Sequence, residues 1–168
     1  MHGANATGRP FTGDYAGGLL YQTLYAFGFA NQPESTHLDD GLQLKGCRIT
    51  NAVKCLPPQN KPTSAEINAC NGFLRHELQD LPEGSVILAL GTIAHKAVLK
   101  AYQLKQSAYP FAHNVQHALP NGRWLVDSYH TSKYNILTKR LTTPMFHAVF
   151  ERIQKLCQDE QVRSTSPV

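Results

Sequence analysis

Apolar positions recur along this chain in two rhythms. Leu20, Leu24 and Phe27 fall at helical spacing in GGLLYQTLYAFGF (17–29), with Gly28 as a stop signal. Ile67, Cys70, Leu74 and Leu78 keep the same spacing after Thr63-Ser64-Ala65-Glu66, whose order is that of a helix-opening capping box. Met145, Val149, Ile153 and Leu156 align in a closing helix from Pro144 to Cys157. The other rhythm is an unbroken apolar or β-branched run. SVILAL (85–90) predicts a strand covered on both faces, turned by Gly91 into a helix, TIAHKAVLKAYQL. CRITNAV (47–53) predicts a buried strand that ends at the loop LPPQNKP, and WLVDSY (124–129) a further short one.

Strands alternating with helices predict an α/β sandwich around a parallel sheet. Functional glycine-rich loops in such sheets follow a strand. Here the glycine-rich loop GRPFTGDYAGG (8–18) leads into a helix, yet only Met1 to Thr7 precede it. The first strand is missing from the pattern. The expectation is one domain over 1–160, incomplete at its N-terminal side, and a disordered Ser/Thr/Pro tail over 161–168.

Composition narrows the class. With 168 residues, 42% hydrophobic, 17% charged and a mean hydropathy of -0.33, the chain is globular rather than disordered. No apolar run approaches a membrane span, and MHGANATGRPF has no charged segment followed by an apolar stretch. A cytoplasmic location is therefore expected, with the thiols of Cys47, Cys55, Cys70 and Cys157 reduced and the sequon Asn5-Ala6-Thr7 without meaning. The net charge is +4. Lys45, Arg48, Lys54 and Lys61 lie in an acid-free stretch, and Arg123, Lys133, Lys139 and Arg140 face only Asp127. Both surpluses suit a polyanion, and both suit a solvated basic face.

The loop at 8–18 lacks the Lys-Ser/Thr ending of a phosphate-cradling loop and the spacing of a dinucleotide fingerprint. Phe11 at its centre fits a flat ligand, or a staple onto the following helix. Asp14 fits a helix N-cap as well as catalysis. Asn51 inside an apolar strand needs partners for its donor and its acceptor, from a loop or from a ligand. His130 directly follows a strand, where ligands bind in parallel sheets. Cys55 and Cys70 are two thiols without a C-x-x-C pair, too few for a metal site.

Taken together, GANATGRPFTGDYAG, RITNAVKCLPPQNKPT with Cys70, VILALGTIAHKA and SYHTSKYNILTKRLT resemble the uracil-DNA glycosylase superfamily, family 5 first and family 4 next, from about His2 to Ile153. The resemblance implies a three-layer α/β/α sandwich around a four-stranded parallel sheet, and a hydrolase of base excision repair acting as a monomer on DNA that contains uracil or other deaminated bases, with the nucleotide flipped into a pocket at the carboxyl ends of the strands. Phe11 would stack on uracil, Asn51 would read its O4 and N3–H, and His130 would donate to O2 of the leaving anion. Asp14 would position water or stabilise the sugar cation. Lys139, Arg140 and Leu141 match a loop that enters the minor groove. Cys55 and Cys70 match the second ligand pair of a [4Fe-4S] cluster, which would be incomplete here. The chain departs from the family where a C-x-x-C and a strand lead into HGAN. It also has Thr131 for proline after His130 and Lys139 for glycine. The alternative implied by those departures is a non-catalytic, DNA-binding remnant.

Overall fold

The computed structural model describes residues 8–53 and 63–165, in two compact units. One holds the chain up to Asn51 together with His130–His147, the other Ala52–Tyr129 and Ala148–Val168.

The second unit contains the sheet. Helix α2 (Ser64–Gln79) opens with the expected capping box, Thr63 Oγ1 accepting from Glu66 N–H while the Glu66 carboxylate accepts from Thr63 N–H. Strand β1 (Val86–Leu90) feeds through Gly91, at φ +90°, into α3 (Thr92–Ala101). Strands β2 (Gln116–Leu119) and β3 (Arg123–Ser128) are joined by a tight turn in which Asn121 and Gly122 both have positive φ. The strand order is β1-β3-β2, with β1 parallel to β3 and β2 antiparallel to it. Leu74 and Leu78 of α2, Ala89 of β1, Val98 and Leu99 of α3, Leu119 and Leu125 form one buried cluster. Burial of such side chains contributes roughly 1.5–3 kcal/mol each.

The α/β class and the parallel β1–β3 pair are as the sequence predicts. Two features of the sheet differ. Among the described residues the sheet has three strands, and residues 47–53 join no ladder. The short strand β2 leaves no signal in the sequence, because QHAL is two polar residues followed by two apolar ones and has neither an alternation nor an apolar run. The tail differs as well: α5 (Thr143–Thr165) continues beyond Gln161 before the described chain ends.

In the first unit, α1 (Tyr15–Ala26) buries Leu20, Tyr21 and Leu24, and Gly28 at φ +80° follows its end. A loop pairs back across the isolated bridge Ala30–Leu44. Helix α4 (Lys133–Leu137) follows His130, capped by Ser132 Oγ, which accepts from Asn135 N–H.

Candidate active site

The first unit brings Phe11, Asp14 and His130 together. Phe11 lies in the left-handed region at φ +55°, an unfavourable conformation for a residue with a side chain, so its surroundings must hold it. They do so with polar atoms. Arg9 donates to Ser35 Oγ (3.0 Å), Asp40 Oδ1 (2.9 Å) and the Leu38 carbonyl (2.7 Å). The Pro10 carbonyl accepts from the Tyr21 hydroxyl at 2.7 Å, and the buried Thr12 hydroxyl meets that of Ser35. Behind Phe11 lies Gly17: a Cβ there would come 1.7 Å from the Phe11 carbonyl oxygen. Glycine is required at that position by space alone.

Asp40 anchors this framework. Burial works to raise its pKa, but backbone N–H groups of Leu42 and Thr36 and the Arg9 guanidinium hold the carboxyl well below the usual carboxylate range.

Asp14 is the N-cap of α1, its Oδ1 accepting from Gly17 N–H at 3.0 Å. Its carboxylate is exposed and its charge reaches His130. Burial pushes the His130 pKa below 6.5, while Asp14 pulls it upward. The imidazole is tilted 37° to the Phe11 ring with centroids 5.9 Å apart. The His130 carbonyl accepts from Asn135 Nδ2 at 2.9 Å. The fully buried Thr131 donates to the Ala16 carbonyl at 2.8 Å. Asn51 belongs to the same unit and is half-buried, outside any strand rather than in the central strand expected for it.

The basic groups sort unevenly. Lys45, Arg48, Lys133, Lys139 and Arg140 are exposed, all in the first unit. Arg123 is not available to a polyanion: it is buried and donates to the carbonyls of Gln79 and Leu81. Lys54, Lys61 and Cys55 lie outside the described residues. Leu141 needs a correction too. Lys139 adopts φ +58° after α4, the turn closes with Leu141 N–H on the Asn135 carbonyl at 3.0 Å, and Leu141 is fully buried. It therefore has no surface to insert into a groove. The exposed apolar side chains of that segment are Tyr134 and Leu137.

Of the two cysteines matched to a [4Fe-4S] cluster, Cys70 is among the described residues and Cys55 is not. Cluster ligands are thiolates, yet burial raises the pKa of the free thiols Cys47 and Cys157, and Cys47 donates to the Phe29 carbonyl. Cys70 is buried on α2. No cysteine belongs to the metal-competent group that the described residues form, His95, His117 and Asp127.

That group, in the second unit, escaped the sequence reading. His95 Nδ1 lies 2.8 Å from Asp127 Oδ1, and its Nε2–H donates to the Tyr109 carbonyl at 2.8 Å. His117 Nε2 lies 3.4 Å from Asp127 Oδ2 and 3.1 Å from the Pro110 carbonyl. Asp127 Oδ1 pairs with His95, while the buried Oδ2 accepts no hydrogen bond and is only approached by His117. Burial raises the Asp127 pKa and the two histidines draw it back. The available signal was one acid inside the apolar run WLVDSY.

An aromatic ring, a half-buried histidine and an exposed carboxylate thus converge in the unit that also carries the exposed basic side chains. Residues 1–154 match the Uracil DNA glycosylase superfamily, and the chain belongs to that family of hydrolases. It is 48% identical over 155 residues to a type-5 uracil-DNA glycosylase of Thermus thermophilus, covering 92% of this chain and 70% of that protein. To the type-5 uracil-DNA glycosylase of Pyrobaculum aerophilum it is 40% identical over 151 residues, 90% of this chain and 65% of the relative. A type-4 uracil-DNA glycosylase of Archaeoglobus fulgidus is 31% identical over 99 residues, 58% of this chain and 42% of the relative. This chain thus spans about two thirds of the length of the type-5 relatives named.

Proposed function

We propose that the chain hydrolyses the N-glycosidic bond of uracil in DNA, using the site around Phe11 and His130. The observation that carries this reading is the pairing of the two rings, 5.9 Å apart, with the Asp14 charge acting on the imidazole. A uracil stacked on Phe11 presents its edge to His130. The lowered His130 pKa keeps the ring neutral at pH 7, so it has one N–H to donate to O2 as negative charge develops there. Water adds to C1′ as the C1′–N1 bond breaks; the bond's electron pair leaves with uracil as an anion held by that donor, and the proton shed by the water passes to solvent and then to the released base. Asp14, exposed beside the ring, supplies negative charge toward the sugar cation or orients the water. Asn51 offers a donor and an acceptor to N3–H and O4, where cytosine presents the wrong pattern. Other deaminated bases that keep a carbonyl at the equivalent edge fall within the same substrate class.

Lys45, Arg48, Lys133, Lys139 and Arg140 would hold the phosphates, with the exposed Tyr134 and Leu137 taking the surface role that Leu141 cannot. Each phosphate contact should steepen the log K against log salt slope by roughly 0.9. The test is single-turnover cleavage of duplexes carrying one dU or none, with protein in excess. Abasic-site formation at dU alone is expected. Salt-dependent binding to both duplexes without cleavage would favour the non-catalytic remnant.

A further inference from the structure

We infer that Thr131 is a positioning residue that fixes the separation of the base platform and the imidazole. This rests on the reading of Phe11 and His130 as the two sides of a uracil site. Thr131 follows His130 directly and is fully buried. Its hydroxyl donates at 2.8 Å to the carbonyl of Ala16, a residue 115 positions away in sequence. Ala16 is in the first turn of α1, two residues after Asp14 and one before Gly17. Gly17 in turn lies against the Phe11 carbonyl. One hydroxyl therefore fastens the segment bearing His130 to the segment bearing Phe11 and Asp14.

The neighbouring ties act differently. Asn135 Nδ2 holds the His130 carbonyl, and Ser132 caps α4; both link the segment to its own downstream helix. Lys133 lies 5.9 Å from the Tyr15 ring, but both side chains are exposed, and a cation–π contact in water constrains geometry weakly. A buried hydroxyl on a backbone carbonyl is directional and excludes water. Residues 130–131 themselves form no regular element, so side-chain bonds set where the imidazole sits.

The experiment compares Thr131→Val, which keeps the shape and removes the donor, with Thr131→Ser, which keeps the donor and removes the methyl. Thr131→Ala serves as a second donor-less variant should the valine fail to fold. The first readout needs no substrate: the nuclear Overhauser contact between the Phe11 and His130 ring protons. It should persist in the parent and in Thr131→Ser and be lost in Thr131→Val. The second is excision of uracil from a dU duplex. Thr131→Val should lose about 10²-fold in kcat, the scale of an ångström's misplacement, with KM close to the parent's, and Thr131→Ser should restore it. A valine variant with the ring contact intact and parental kcat overturns the inference. So does a serine variant that falls as far as the valine, because the methyl would then be what matters. A parent chain that cleaves no uracil refutes the proposed function, while the ring contact still decides the role of Thr131.

Discussion

Both units bury apolar side chains and both hold buried polar bonds, but the sheet and the loops around Phe11 lean on them differently. In the sheet unit, Leu125 and Val126 of β3, Leu99 of α3 and Leu74 of α2 are buried side chains whose chemistry is interchangeable within their volume. In the unit carrying Phe11, Asp14, Asn51 and His130, the path of the chain is held by named atoms. Arg9 spans three acceptors, Tyr21 holds the Pro10 carbonyl, and Thr131 holds the Ala16 carbonyl. An apolar core tolerates substitutions that conserve volume, whereas a polar framework fails when one donor is removed. The geometry of the proposed site is built in the second way.

The contrast can be broken most sharply at Leu125. Leu125→Ala should lower the stability of the protein by about 2–5 kcal/mol in chemical denaturation, since the side chain is fully buried. A loss below about 1 kcal/mol would mean that the sheet unit is not held by its core. His130→Ala should do the reverse, lowering single-turnover uracil excision about 10²–10³-fold while leaving the denaturation midpoint near the parent's.

Two adjacent glycines sharpen the comparison further. Gly17→Ala places a Cβ 1.7 Å from the Phe11 carbonyl oxygen and should cost about 1–3 kcal/mol, with a loss of excision. Gly18→Ala meets nothing within 4 Å and should stabilise α1 by up to about 1 kcal/mol, visible as a higher melting temperature. Equal effects at both positions would show that helix propensity, not the space behind Phe11, decides.

The smallest effect is in the pH profile. Because burial lowers the His130 pKa below 6.5, the neutral ring is the folded form. Its contribution to stability is present above that unfolded value and is lost as pH falls through the lowered one. Asp14 opposes the lowering, so Asp14→Asn should move the His130 titration, followed by ring-proton chemical shift, to still lower pH. A shift upward would show that Asp14 does not act on the imidazole through its charge.

The same contrast explains what could be read in the sequence. Helices α2 and α5 and strands β1 and β3 follow apolar spacing, and Gly28 and Thr63 mark boundaries by local chemistry. Phe11, Asp14 and His130 could be singled out because each is an odd residue in its setting. What holds them could not: Arg9, Ser35, Asp40 and Tyr21 pair across tens of residues, or through backbone acceptors that leave no pattern. Leu141 is matched to a groove-entering loop by resemblance, but the chain's turn at Lys139, in a left-handed conformation, rotates it inward, and a matching motif does not reveal a dihedral angle.

The turn at Asn121-Gly122 has a consequence in time. Leu119 and Arg123, paired across it, are four residues apart, whereas Val86 and Trp124, paired between parallel strands, are thirty-eight apart. Closing the longer loop costs about 2 kcal/mol more in chain entropy. The β2–β3 hairpin should therefore assemble before β1 docks on it, making Asn121 and Gly122 part of the folding nucleus. Substitutions there would slow folding, while those in β1 would mainly speed unfolding. The segment bearing His130 begins two residues after β3, so it emerges from the earliest ordered part of the chain.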